Sequence, residues 1–128
     1  MKKLIVFVLA MVMGISMMGC ASSNKSDVEY VKEKGKLVVG ITEFAPMDYK
    51  DSNDKWIGFD AEMAEAFAAS LGVEAEFVLI DWDNKAFELD SKTIDVVWNG
   101  MTLTDAVLEA MECTNAYCNN AQVIVVAK

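Results

Sequence analysis

The sequence contains no arginine and no histidine; all 11 of its basic residues are lysines, set against 20 acids. An acidic chain of formal charge −9 without arginine is poorly suited to neutralising a phosphate backbone, so nucleic acid is set aside as a partner. Without histidine the chain lacks the commonest general base and the commonest metal ligand, and neither a metal nor a cofactor is expected. Proline occurs once, at Pro46, and cysteine three times, at Cys20, Cys113 and Cys118. Spacing decides nothing for the last two, because a bridge requires α-carbons within about 7 Å. Buried free thiols, a disulfide across a turn at Thr114-Asn115-Ala116, and a metal pair all stay open. Long apolar runs are scarce as well. The longest covers residues 4–18, broken by Gly14 and Ser16, and it is shorter than the roughly 20 residues that a membrane helix requires.

What is present at the start is a secretory pattern. Lys2 and Lys3 precede the apolar run, and Gly19 and Cys20 follow it. The Gly19-Cys20 boundary resembles a bacterial lipobox, in which the cysteine is acylated and becomes the mature N-terminus; Met17 stands where leucine is usual. Acyl chains contribute about 0.8 kcal/mol per buried methylene, so two or three anchor a protein to a membrane stably. An ordinary secretory signal with an incidental cysteine is the alternative. Removal of residues 1–19 leaves enough chain for one small domain. It also leaves a more acidic one, since two lysines depart and no acid does. Residues 20–27 read as the lipid-anchor cysteine and a small, polar tether, and residues 28–128 as the folded part.

Along that part, strand and helix signals alternate. A short amphipathic helix is expected at 28–34, stopped by Gly35. The β-branched run at 36–42 reads as a buried strand. Residues 43–47 form a loop with Phe44 and Pro46. Residues 48–50 and 56–57 flank a polar segment and read as a hairpin. Asp60 is placed to cap the next helix, with Phe59, Met63, Ala66, Phe67, Ser70 and Leu71 on its inner face and Gly72 at its end. A strand at 73–80, a loop at 81–84 with Trp82, a short helix at 85–89, a strand at 94–98, the Asn99-Gly100 turn, a helix at 105–111 and a strand at 121–127 complete the pass. The alternation predicts an α/β layer fold with a mainly parallel sheet flanked by helices. The last residue, Lys128, directly follows the final apolar run, which reads as a truncated chain rather than a finished domain.

The run Gly58-Phe59-Asp60-Ala61-Glu62-Met63 resembles the signature of bacterial extracellular solute-binding proteins of family 3. Five further features resemble the family in order: the strand at 36–42, opening Lys36-Leu37-Val38-Val39-Gly40; Pro46 in the loop before the hairpin; Trp82-Asp83; Ile94-Asp95-Val96-Val97 with Gly100-Met101-Thr102-Leu103-Thr104; and Asn115-Ala116-Tyr117. The resemblance implies a type II periplasmic-binding-protein-like fold of two α/β lobes. Residues 28–128 would be the first lobe, ending at the first crossing strand, with the second lobe missing. It further implies an extracytoplasmic, lipid-anchored receptor, not an enzyme, that binds an amino acid or similar small polar solute and docks on the permease subunits of an ABC importer.

Ligands of open α/β sheets bind beyond the carboxyl ends of the strands. The loops expected there carry Phe44, Trp82, Asn99, Gly100 and Thr102, and these are the candidate ligand-binding residues. Two aromatic faces can sandwich a side chain, Gly100 permits close backbone approach, and amides with the Thr102 hydroxyl can donate to a carboxylate. Each has a plain rival reading. Phe44 and Trp82 can be core, Asn99 a turn former, and Thr102 a helix cap, although Thr104 is better placed to cap. Trp98 reads as core, and Glu43 as either a contact for a ligand ammonium or a solvated acid. Family members usually carry an arginine at the position of Val107, where it pairs with the ligand carboxylate; here nothing replaces it. A single lobe is expected to bind solute weakly or not at all. A dehydratase-type enzyme on the same fold, a receptor sensor domain and a non-functional fragment are the alternatives.

Overall fold

The computed structural model describes residues 25–119, 121 and 123–127. The expected signal peptide and the expected acylation site Cys20 lie outside the described residues.

Helix α1 (Asp27–Lys34) starts one residue earlier than expected, inside the segment read as tether. Ser26 is the reason. Its hydroxyl accepts from the Glu29 amide while the Glu29 carboxylate accepts from the Ser26 amide, a reciprocal cap that satisfies two orphan donors. Gly35 ends the helix in the left-handed conformation, at φ 76°.

Strand β1 (Lys36–Ile41) is the centre of the fold. It pairs in parallel with β4 (Glu74–Leu79) over six residues, from Lys36 opposite Glu74 to Ile41 opposite Leu79. On its other edge it pairs in parallel with β5 (Val96–Val97), giving the order β4-β1-β5. Successive side chains of β1 point to opposite faces, and each face has its own core. Leu37 and Val39 pack with Val31, Ala64, Ala68 and Val73, whereas Val38 packs with Ile80 and Ile94, with Leu89 against them. The sheet is therefore covered on both sides, as an all-parallel sheet requires. Gly40 admits the close packing of the second face. A Cβ there would stand 2.5 Å from Ile94 Cδ1.

Between β1 and β4 the chain makes the expected hairpin, β2 (Tyr49–Lys50) against β3 (Trp56–Ile57), and then helix α2 (Phe59–Leu71). Two expectations fail on this helix. Asp60 does not cap it. The cap position is Gly58, at φ 115°, and no side chain closes the first turn. Asp60 lies one step inside the helix, fully buried. The inner face also differs: Ala61, Ala64 and Ala68 are buried, while Phe59, Met63 and Phe67 remain 49%, 40% and 45% exposed. Small side chains let the helix axis sit close to the sheet, and the bulky row cannot fit at that distance.

After β4 come a 3-10 turn (Trp82–Asn84) and helix α3 (Lys85–Asp90), then β5 and helix α4 (Asp105–Ala110). Strand β5 is shorter than the expected 94–98, and its lead-in is fixed by Asp95. That carboxylate accepts from Lys34 Nζ at 2.6 Å and from the Val38 amide at 2.7 Å. The strand expected at 121–127 is not formed among the residues described there. Ala121 and Val123–Ala127 belong to no ladder, and Val123 to Val126 are 78–92% exposed. A β-branched run is a strand only where another strand pairs with it, and among the described residues none does.

Candidate functional site

A parallel sheet brings the loops that follow its strands to one edge. The loops after β1, β4 and β5 meet there, and they enclose a cavity of about 400 Å³. Phe44, Trp82, Asn99, Gly100 and Thr102, the five residues singled out from the sequence, all line it. So do Thr42, Lys85, Thr104 and Val107.

Each loop is held by local chemistry. After β1, the Phe44 and Asp48 backbones bond to each other in both directions, at 2.6 and 3.0 Å, and the Met47 amide donates to the Phe44 carbonyl at 2.9 Å. Helix α2 clamps this turn from behind, because the Asp60 amide donates to the Met47 carbonyl at 2.9 Å. Gly58 is required at the junction, since a Cβ there would meet the Met47 carbonyl oxygen at 2.4 Å. Phe44 is 53% exposed and faces the cavity rather than the core. After β4, the Asp81 carboxylate accepts from the Asp83 amide at 3.1 Å and from Asn84 Nδ2 at 3.3 Å, folding the 3-10 turn that presents a half-buried Trp82. After β5, Asn99 is buried, and its Nδ2 donates to Thr42 Oγ1, tying the third loop to the first. Gly100 lies under the Phe44 ring. A Cβ there would stand 3.0 Å from Phe44 Cε1.

Thr104 is the cap of α4, accepting from the Val107 amide at 3.3 Å, so the capping reading of Thr102 is set aside. Trp98 packs against Phe67 with ring centroids 5.7 Å apart, on the core side. Glu43 is exposed and is not among the cavity residues. Sequence reasoning missed Lys85 altogether. Its Nζ donates to the Trp82 carbonyl at 3.0 Å and stands 4.5 Å from the centre of the Trp82 ring. A lone lysine at the start of a short helix gives no signal by itself; the turn that folds it back over Trp82 reveals it.

Behind the cavity lies an acid pair. Asp48 and Asp60 are both fully buried. The Tyr117 hydroxyl donates to Asp60 Oδ1 at 2.8 Å and lies 3.5 Å from the Asn99 carbonyl. Among the described residues no donor at full hydrogen-bond geometry reaches either oxygen of Asp48, although the Ala61 amide lies close enough to offset part of its burial. Burial, and then the charge of Asp60, push the Asp48 carboxyl up to about 7. Burial raises Asp60 as well, and it raises the Tyr117 hydroxyl, to which Asp60 adds.

Cys113 and Cys118 are free thiols, the first half-buried and the second exposed. Among the described residues no group of three or more acids and cysteines could hold a metal ion, and no helix is long and apolar enough to cross a membrane.

Residues 37–128 match the sequence profile of the bacterial extracellular solute-binding proteins, family 3. The L-cystine-binding protein TcyJ of Escherichia coli (strain K12) is 38% identical over 101 residues, covering 78% of this chain and 37% of that protein. The chain therefore spans well under half the length of this curated relative. Among solved structures, the arginine-bound form of domain 1 from TmArgBP of T. maritima shares 36% identity at a TM-score of 0.59, covering 62% of this chain and 64% of that one. An ancestral cyclohexadienyl dehydratase shares 32% identity at a TM-score of 0.63, covering 66% and 36%.

Proposed function

Because this chain belongs to the bacterial extracellular solute-binding proteins of family 3, we propose that it is the front part of a receptor that holds an amino acid and delivers it to an ABC importer. The observation that carries the reading is the meeting of Phe44, Trp82, Asn99, Gly100 and Thr102 around one cavity at the carboxyl edge of the sheet. Two aromatic walls suit the aliphatic or cationic part of an amino acid, at about 0.5–2 kcal/mol each beyond area burial. Hydroxyls and backbone amides on the third loop suit its polar end. In this reading the exposed run Val123–Val126 is the first connection toward a second lobe, and closure of the two lobes about a hinge traps the solute. Cys20, acylated, would hold the receptor at the outer face of the cell membrane, beside its permease.

The single-domain relative from T. maritima, crystallised with arginine, supports the idea that one lobe carries a usable site. That relative narrows the expectation of weak or no binding to weak binding, because half the contacts still give little affinity; a millimolar Kd corresponds to only about 4 kcal/mol. The test is an NMR titration of this chain with the twenty L-amino acids and L-cystine. Saturable shifts at Phe44, the Trp82 indole and Gly100 are expected for at least one of them. Absence of any saturable shift up to about 10 mM, some ten times a millimolar Kd, would refute the reading. The dehydratase likeness keeps a second reading alive, which turnover of a prephenate-like substrate would favour.

A further inference from the structure

Resting on that reading, we propose that Lys85 is the residue that holds the carboxylate of the bound solute. The chain is strongly acidic, yet among the described residues no acid lines the cavity, and Lys85 is the one ionisable residue among them that does. Five other lysines are matched to acids: Lys25 to Glu33, Lys34 to Asp95, Lys36 to Glu76, Lys50 to Asp54 and Lys55 to Glu65; Lys32 and Lys92 have no such partner among the described residues, but neither lines the cavity. Among the described residues, Lys85 meets no carboxylate. Its partners are the neutral Trp82 carbonyl and the Trp82 ring.

An ammonium has three donors. The Trp82 carbonyl takes one, which leaves two for the oxygens of an incoming anion. The contacts already made fix the ammonium at the cavity wall, so little ordering remains when the ligand arrives. Val107, also on that wall, is apolar and contributes no charge. A cation without an acid, in a hollow otherwise lined by hydroxyls, an amide and aromatic faces, matches a zwitterion whose carboxylate lies over Trp82 and Lys85. A lysine is a point charge rather than a planar fork, so the site would fix the position of the carboxylate more firmly than its angle.

The test compares wild type with Lys85→Met and Lys85→Arg. It uses each L-amino acid that wild type binds, together with its carboxyamide. Thermal unfolding of the variants serves as the folding control. Lys85→Met is expected to weaken the free acid roughly 10- to 100-fold, the range of a hydrogen bond to a charged group. It should leave the amide within about two-fold, and Lys85→Arg should restore most of the loss. Equal weakening of acid and amide would mean that Lys85 only props Trp82, and would overturn the proposal. So would an unchanged affinity for the acid. If wild type binds none of the amino acids, the receptor reading itself fails and this inference falls with it, a result distinct from binding that ignores Lys85.

Discussion

The Asp48–Asp60 pair makes folding stability depend on pH in an unusual direction. An aspartate has an ordinary value of 3.8, and in the folded chain Asp48 is pushed up to about 7. Between those values the folded state holds a proton that the unfolded state has released. Stability must therefore fall as pH rises through the window from about 4 to about 7, and level off above it. Each pH unit is worth at most 1.36 kcal/mol per proton, so the window amounts to about 4 kcal/mol as an upper bound. That is a large part of the roughly 5–15 kcal/mol that holds a small domain together. Asp60 is raised as well and acts with the same sign. The absence of histidine keeps the window clear of the usual competing titration. Urea unfolding followed by tryptophan fluorescence between pH 4.5 and 8 is the assay. Asp48→Asn should flatten the slope and make the protein more stable than wild type at pH 8, by up to about 3 kcal/mol. The gain is less than the full window because the amide brings two donors into a site that offers few acceptors. Wild-type stability that stays flat or rises from pH 5 to 7, or an Asp48→Asn variant with the wild-type slope, would refute the reasoning.

Two other perturbations read the packing of the sheet. Gly40→Ala drives a methyl into Ile94 Cδ1, which would stand 2.5 Å away, and should cost about 1–3 kcal/mol in denaturant unfolding. Ile94→Val in the same chain removes that methyl, so the double variant should lose less than the sum of the singles. Asp95→Asn leaves Lys34 without its partner and weakens the bond from the Val38 amide. A loss of about 1.5–3 kcal/mol is expected, with a smaller one for Lys34→Met, because Lys34 is the more exposed partner.

The order of elements was legible because it rests on coarse signals. Residues 36–41 and 74–79 are runs in which β-branched and apolar side chains recur, and their role survives any error in register. Helix α2 was harder, since it is apolar on nearly every side. Judging its inner face by side-chain size points Phe59, Met63 and Phe67 inward. Judging it by spacing would have found Ala61, Ala64 and Ala68, the stripe that a close-lying sheet selects. Asp60 sits before an apolar run, as caps do. Its actual role depends on Asp48 and Tyr117, which are distant in sequence and brought together only by the fold. The Ser26 and Glu29 spacing, by contrast, is a visible cap signature and marks the start of α1. The run Val123–Val126 carries strand composition without a strand partner among the described residues, and composition alone does not supply one.

The candidate site was more readable than its own residues suggest, and the reason lies in topology. When β1, β4 and β5 run parallel, the loops that follow them must emerge on the same edge. Phe44, Trp82 and Gly100 were therefore brought together by strand direction, before any side-chain contact was known. What strand direction cannot give is the sign of the charge inside the cavity. That depends on one residue, Lys85, whose side chain folds back over the turn preceding its own helix. Topology thus sets where the cavity lies, and a single local bond sets the charge beside Trp82.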